Sequence, residues 1–149
     1  MTDLVQLSQR LHRRIKWQEI PEQMTSADLI EILIDAIRML YVISGRTFQF
    51  SDDMIVYTEN PETGHNDVTF SETLELDEQE WVLLESEIAF YNMALSNVDD
   101  LQSYTTDAMA VTHGDKPYKN IKATVEDRQA KQAVVWTRMV RFNQLGVTG

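Results

Sequence analysis

The chain has 149 residues, 43% of them apolar and 25% charged, which is one domain's worth of globular composition and argues against wholesale disorder. It contains no cysteine, so a disulfide framework, thiolate metal sites and a thiol nucleophile are excluded, and stability must come from packing or assembly. A net charge of −11 disfavours nucleic-acid binding through the whole chain, and its distribution is uneven: residues 47–115 hold 16 acids and no Lys or Arg, while residues 116–149 hold 7 basic and 2 acidic residues. Segregation of this kind makes two surfaces of opposite sign, which either fold onto each other within one chain or join neighbouring copies. No apolar run is long enough for a membrane span, and the start MTDLVQLSQR carries an early acid and no signal-like apolar stretch, so no membrane partner is expected.

In chain order, Leu4, Leu7, Leu11 and Ile15 keep helical spacing in a first amphipathic segment, 1–17, with Arg10, Arg13, Arg14 and Lys16 on its basic face. It reads either as a helix packed on the body or as an arm that docks on a partner. After Ile20-Pro21, Thr25 or Ser26 caps a helix over 25–45, with Asp28 in its first turn and Gly45 as its stop. Apolar on nearly every side, this helix is expected at the centre of the core, and Asp35 with Arg38 reads as a surface ion pair. Residues 47–75 change character. Thr47 to Phe50, Met54 to Thr58 and Val68 to Ser71 have strand-like content around the turn chemistry of ENPETGHND, so a β-hairpin or extended insertion is expected, with an edge able to join a neighbour's strand. Asp77-x-x-Glu80 resembles a capping box that opens a third helix, 77–97, with Trp81, Leu84, Ile88, Tyr91 and Leu95 on one face. A long loop, 98–116, follows; its Leu101, Tyr104, Met109 and Val111 are too apolar for a free linker.

The last helix, 117–145, is the longest uninterrupted element. Pro117 suits a helix start and Gly146 a helix stop. Its apolar stripe runs through Ile121, Val125, Val135, Trp136, Met139 and Phe142, with a polar lapse at Gln132. At 1.5 Å per residue it would run about 40 Å, more than a compact domain of this size encloses. Part of it is expected to meet another molecule. The fold class is therefore mainly α: a small helical bundle with a long C-terminal helix and a β-hairpin or extended insertion.

Catalytic chemistry is not legible. His12, His65 and His113 lie in three separate segments, without a second ligand at metal spacing. Asp52-Asp53 with Glu59, Glu62 and Asp67 lack an EF-hand pattern and read as a solvated acidic loop. The glycines are isolated, so no phosphate cradle is formed, and Glu85 and Glu87 point to different faces of their helix. No catalytic residue, cofactor site or metal site is assigned, and the protein is expected not to be an enzyme.

A basic first helix, an apolar helix ending in Ser44-Gly45-Arg46, a β-like excursion, a third helix with Trp81 and Phe90-Tyr91, the stretch SYTTDAMAVT followed by GDKPY, and a long basic helix together resemble the head–tail connector, or adaptor, proteins of tailed bacteriophages. The resemblance covers residues 25–146 in layout and carries no signature residue. It implies a non-enzymatic neck protein of the virion, assembled in the host cytoplasm as a homo-oligomeric ring, twelvefold in a connector. Portal and tail-side neck proteins would be its partners, and DNA would pass through the channel without sequence-specific binding. Tyr57, Phe70, Tyr104, Met109, Val111, Trp136, Arg138 and Arg141 are the expected interface residues, and deletion of 101–113 is expected to leave a helical monomer that no longer assembles. The alternative is a small helical adaptor or regulatory protein that binds a single cellular partner.

Overall fold

A computed structural model describes residues 1–15, 25–59, 61–62, 66–104 and 115–148, with side chains described over 76–93 and 121–141 of the two long helices. The order is β1 (Thr2–Asp3), α1 (Leu4–Arg14), α2 (Ser26–Ile43), two single 3₁₀ turns, β2 (Ile55–Glu59), β3 (Asn66–Phe70), α3 (Leu76–Tyr104) and α4 (Asp115–Thr148). The mainly α class with a long C-terminal helix and a small antiparallel sheet is what the periodicity predicts.

Local chemistry explains the first boundaries. Asp3 accepts from the Val5 and Gln6 amides and so caps α1. Thr25 and Asp28 close a reciprocal capping box on α2: the Thr25 hydroxyl accepts from the Asp28 amide while the Asp28 carboxylate accepts from the Thr25 amide. At the other end Gly45 takes φ +72°, and the Arg46 and Gly45 amides donate to the Tyr41 and Val42 carbonyls at 2.8 and 3.1 Å. This is a Schellman stop, and only glycine enters it without strain.

The sheet is three-stranded, order β1-β3-β2, both pairings antiparallel. The Thr2–Asp3 strand has no counterpart in the sequence reading, because two residues are too short to show a period. Thr47 to Phe50, expected as strand, instead begins with a 3₁₀ turn over Thr47–Gln49. Phe50 then turns back and packs against the core. Phe70 stacks on Phe50 (6.2 Å between centroids) and meets Tyr41 edge-on (5.9 Å), which ties the sheet to the end of α2.

The centre of the molecule is α3, and not α2 as the all-round apolar sequence of α2 suggests. Trp81, Val82, Leu83, Leu84, Ile88, Phe90 and Tyr91 are buried around its circumference. It is held between α1 and α2 on one side and α4 on the other. By contrast α2 leaves Met39, Val42 and Ile43 exposed. Buried Leu4, Leu7, Leu11 and Ile15 place α1 on the body, the packed alternative of the two expected.

Three boundaries need correction. At the start of α3 it is the Glu78 carboxylate that accepts from the Glu75 amide, at 3.0 Å; Asp77 and Glu80 are drawn instead to Arg138 and Arg14. The third helix runs to Tyr104 rather than ending at 97, so much of the expected loop 98–116 is helical and residues 105–114 lie outside the described residues. Finally, α4 begins at Asp115, ahead of Pro117, and continues through Gly146 to Thr148. Proline is tolerated there because the first four amides of a helix have no intrahelical acceptor. Glycine weakens a helix by about 1 kcal/mol without forbidding it.

Candidate assembly surfaces and the buried charge cluster

Helices α3 and α4 form an antiparallel pair whose register is set by polar contacts. Arg138 donates to Asp77 (2.9 Å) and Arg128 to Glu87 (3.0 Å), so ten residues along one helix match ten along the other. Ile121, Val125, Val135 and Met139 of α4 are buried in this seam. With Arg128 and Gln132 between them, these positions alternate in steps of four and three, the spacing of a coiled-coil stripe. Its two middle positions are polar, and each finds a polar partner on α3.

Glu87 is that partner for Arg128, and it is 1% exposed. From the opposite side Arg14 of α1 places Nη2 3.1 Å from Glu87 Oε2 while forming a two-pronged bond to Glu80 at 2.8 and 3.0 Å. The 3.1 Å approach does not have hydrogen-bond geometry, so Oε2 is compensated by charge alone. Thus one buried carboxylate joins α1, α3 and α4. Burial pulls the Arg128 pKa down, but the hydrogen bond and charge of Glu87 outweigh it and the net direction is upward. Gln132 reaches Glu85 at 2.6 Å. Glu85 and Glu87, expected on different faces, are thus both reached by α4, since the long side chains span the angle between them.

Part of the segregated charge meets within the chain. Basic residues of α1, α4 and the loop after α2 converge on the acids of α3: Arg14 on Glu80 and Glu87, Arg46 on Glu78 at 3.1 Å, Arg128 on Glu87, and Arg138 on Asp77. On the surface, a hydrogen bond from Lys131 and the nearby Arg128 charge lower the Asp127 pKa. Asp35 and Arg38 form the expected exposed pair at 3.4 Å. Arg38 also reaches Asp52 at 3.3 Å and lies over the Phe50 ring.

The expected interface residues fall in different places. Tyr57 is 59% exposed on strand β2. Phe70 is fully buried in the protein's own core, Trp136 is half-buried against that core, and Arg138 and Arg141 are exposed on α4. Tyr104 ends α3, with its side chain outside the described detail, and Met109 and Val111 lie outside the described residues. The structure adds a patch that the sequence reading overlooked: Met39, Val42 and Ile43 at the exposed end of α2, followed by Phe48 at 84% exposure. Their one-face spacing was hidden by the apolar residues on the other sides of the same helix.

A shallow groove of about 530 Å³ between α1 and α2 is lined by Ser8, Gln9, His12, Arg13, Thr25, Ser26 and Leu29. Within it Ser8 donates to the Val5 carbonyl, Arg13 Nε donates to the Gln9 carbonyl and Thr25 is bound to Asp28. Among the described residues, no group of three or more His, Asp or Glu side chains is placed to hold a metal ion, and no helix is long and apolar enough to cross a membrane.

Tyr41 titrates abnormally. Burial raises its pKa, Arg46 over its ring opposes this, and Glu72 and Glu78 add to the rise. The folded state therefore holds the Tyr41 proton more tightly than the unfolded chain does. Stability tied to it is intact below about pH 10 and is lost as pH rises further. Alkaline urea titrations are expected to show this decline, and Tyr41→Phe should flatten it; an unchanged slope in the variant would assign the decline to other groups.

The chain matches no family model, no curated protein and no solved structure.

Proposed function

We propose that this chain is a non-enzymatic virion structural protein that forms a head–tail connector ring between portal and tail, with DNA passing through its channel. The observation that carries this reading is α4. Its 34 residues run about 50 Å at 1.5 Å per residue, whereas a sphere with the usual radius of gyration for this chain length is about 38 Å across. With α3 at 29 residues, the two helices make a rod longer than a globule of this size needs. Surplus helix surface is what subunits packed side by side around an axis would cover. The acids of residues 47–75 include no counter-cation of their own segment, and a surface of that sign would let a duplex slide past without gripping its phosphates. Such a protein belongs in the neck of the virion and is assembled in the host cytoplasm.

A second reading, an adaptor for a single cellular protein, draws support from Met39, Val42, Ile43 and Phe48, which gather exposed apolar area at one end of α2. Mass measurement in solution, alone and with a candidate portal, separates the two. A connector is expected to give concentration-dependent oligomers or a ring on the portal. A species of fixed small mass under both conditions would overturn the connector reading.

A further inference from the structure

The open edge of β2 is built to take another strand, and we infer that its occupant is an extended basic segment of a partner protein. Strand parity shows which backbone groups are available. The Ser71 amide donates to the Met54 carbonyl at 2.8 Å, and the ladder continues Val56 opposite Thr69 and Thr58 opposite Asp67. Because backbone groups alternate sides along a strand, Val56 and Thr58 bond to β3 while Ile55, Tyr57 and Glu59 turn theirs outward. The Ile55 amide is used by the preceding turn, where it donates to the Asp52 carbonyl. That leaves the Ile55 carbonyl, both backbone groups of Tyr57 and the Glu59 amide without a partner among the described residues. Four such groups in one row are a template for strand addition.

Charge selects the occupant. Asp53, Glu59 and Asp67 are exposed around this edge, and no Lys or Arg occurs anywhere from residue 47 to 115. Asp52, 90% exposed, shares a single arginine, Arg38. A second copy is the wrong partner. Antiparallel self-pairing centred on Tyr57 would set Glu59 of each copy opposite Ile55 of the other, beside the turn that carries Asp52 and Asp53, twice by symmetry, and like charges brought together across strands are destabilising. A strand with lysine or arginine at alternate positions turns the same acids into attraction. With the basic positions on the face that Tyr57 and Glu59 share, its apolar positions fall on the opposite face and would cover Val56, which is 43% exposed.

The edge can be tested apart from ring formation, since mass reports the ring and β2 amide signals report the edge. The probe is a capped heptapeptide of alternating lysine and valine, titrated into the full chain, with the glutamate and valine analogue as control. Amide shifts confined to residues 55–59, and exchange of the Tyr57 and Glu59 amides slowed by about tenfold or more, are expected with the basic peptide alone and should weaken with salt. Tyr57→Pro removes an outward amide and spares the β3 ladder, a position where an edge strand accepts proline. It should abolish binding while the Val56–Thr69 cross-strand contact persists. Glu59→Lys with Asp53→Lys should exchange the preference from the basic to the acidic peptide. Equal binding of both peptides to the wild-type chain, undiminished binding to Tyr57→Pro, shifts located elsewhere, or protection of the edge by protein concentration alone would each overturn the inference.

Discussion

Replacing Glu87 with alanine is expected to cost the fold about 3 kcal/mol, read as a fall in the urea midpoint at unchanged slope. The carboxylate is 1% exposed and faces Arg14 and Arg128, whose side chains are 27% and 22% exposed. Removing the shared anion leaves two guanidinium groups close together with no carboxylate between them. Their partial exposure lets water recover some of the loss, which places the effect at the low end of the range for a broken buried pair. The simultaneous change Arg14→Met, Glu87→Leu and Arg128→Met removes all three charges and should be close to neutral, because the desolvation cost of an ion cluster can match what its pairing returns. A drop below about 1 kcal/mol for Glu87→Ala, or a triple variant that loses more than the single one, would mean that the cluster does not work as a coupled unit. The same charges specify register: only one alignment of α3 and α4 sets Arg128 beside Glu87 and Arg138 beside Asp77.

Phe70→Ala is expected to lose about 3–5 kcal/mol, the usual range for deleting a fully buried aromatic ring. The ring is 0% exposed and lies against Phe50 and Tyr41, while its backbone sits between Thr2 of β1 and Ile55 of β2. Loss of the ring should loosen the terminal strand first, seen as faster exchange across residues 2–3 and 66–70, with near-UV signal falling at lower urea than in the wild type. Phe70→Leu refills most of the volume and should cost much less. If Phe70→Ala kept its stability and lost only assembly, Phe70 would belong to an interface between chains, as its sequence context suggests.

The sequence determined the helices because each follows from local chemistry. Leu4, Leu7, Leu11 and Ile15 recur at helical spacing, Thr25 and Asp28 form a start signal, and Gly45 alone enters the left-handed turn that ends α2. Long-range pairing was not legible in this way. Nothing near Thr2 announces a strand partner at Phe70, and nothing near Glu87 announces arginines 73 positions before it and 41 after it. These contacts depend on how finished helices pack, and a period read along one helix does not say which neighbour covers its face. The assignment of the core centre turned on the same point. Apolar residues all around α2 look like a central helix, yet α3 buries Trp81, Val82, Leu83, Leu84, Ile88, Phe90 and Tyr91 around its circumference while α2 leaves Met39, Val42 and Ile43 exposed, and arginines of α1 and α4 accompany the acids that α3 carries inward. The sequence also displayed the imbalance of charge, and tertiary structure alone decided which acids of α3 meet arginines of the same chain and that the edge of β2 keeps its acids.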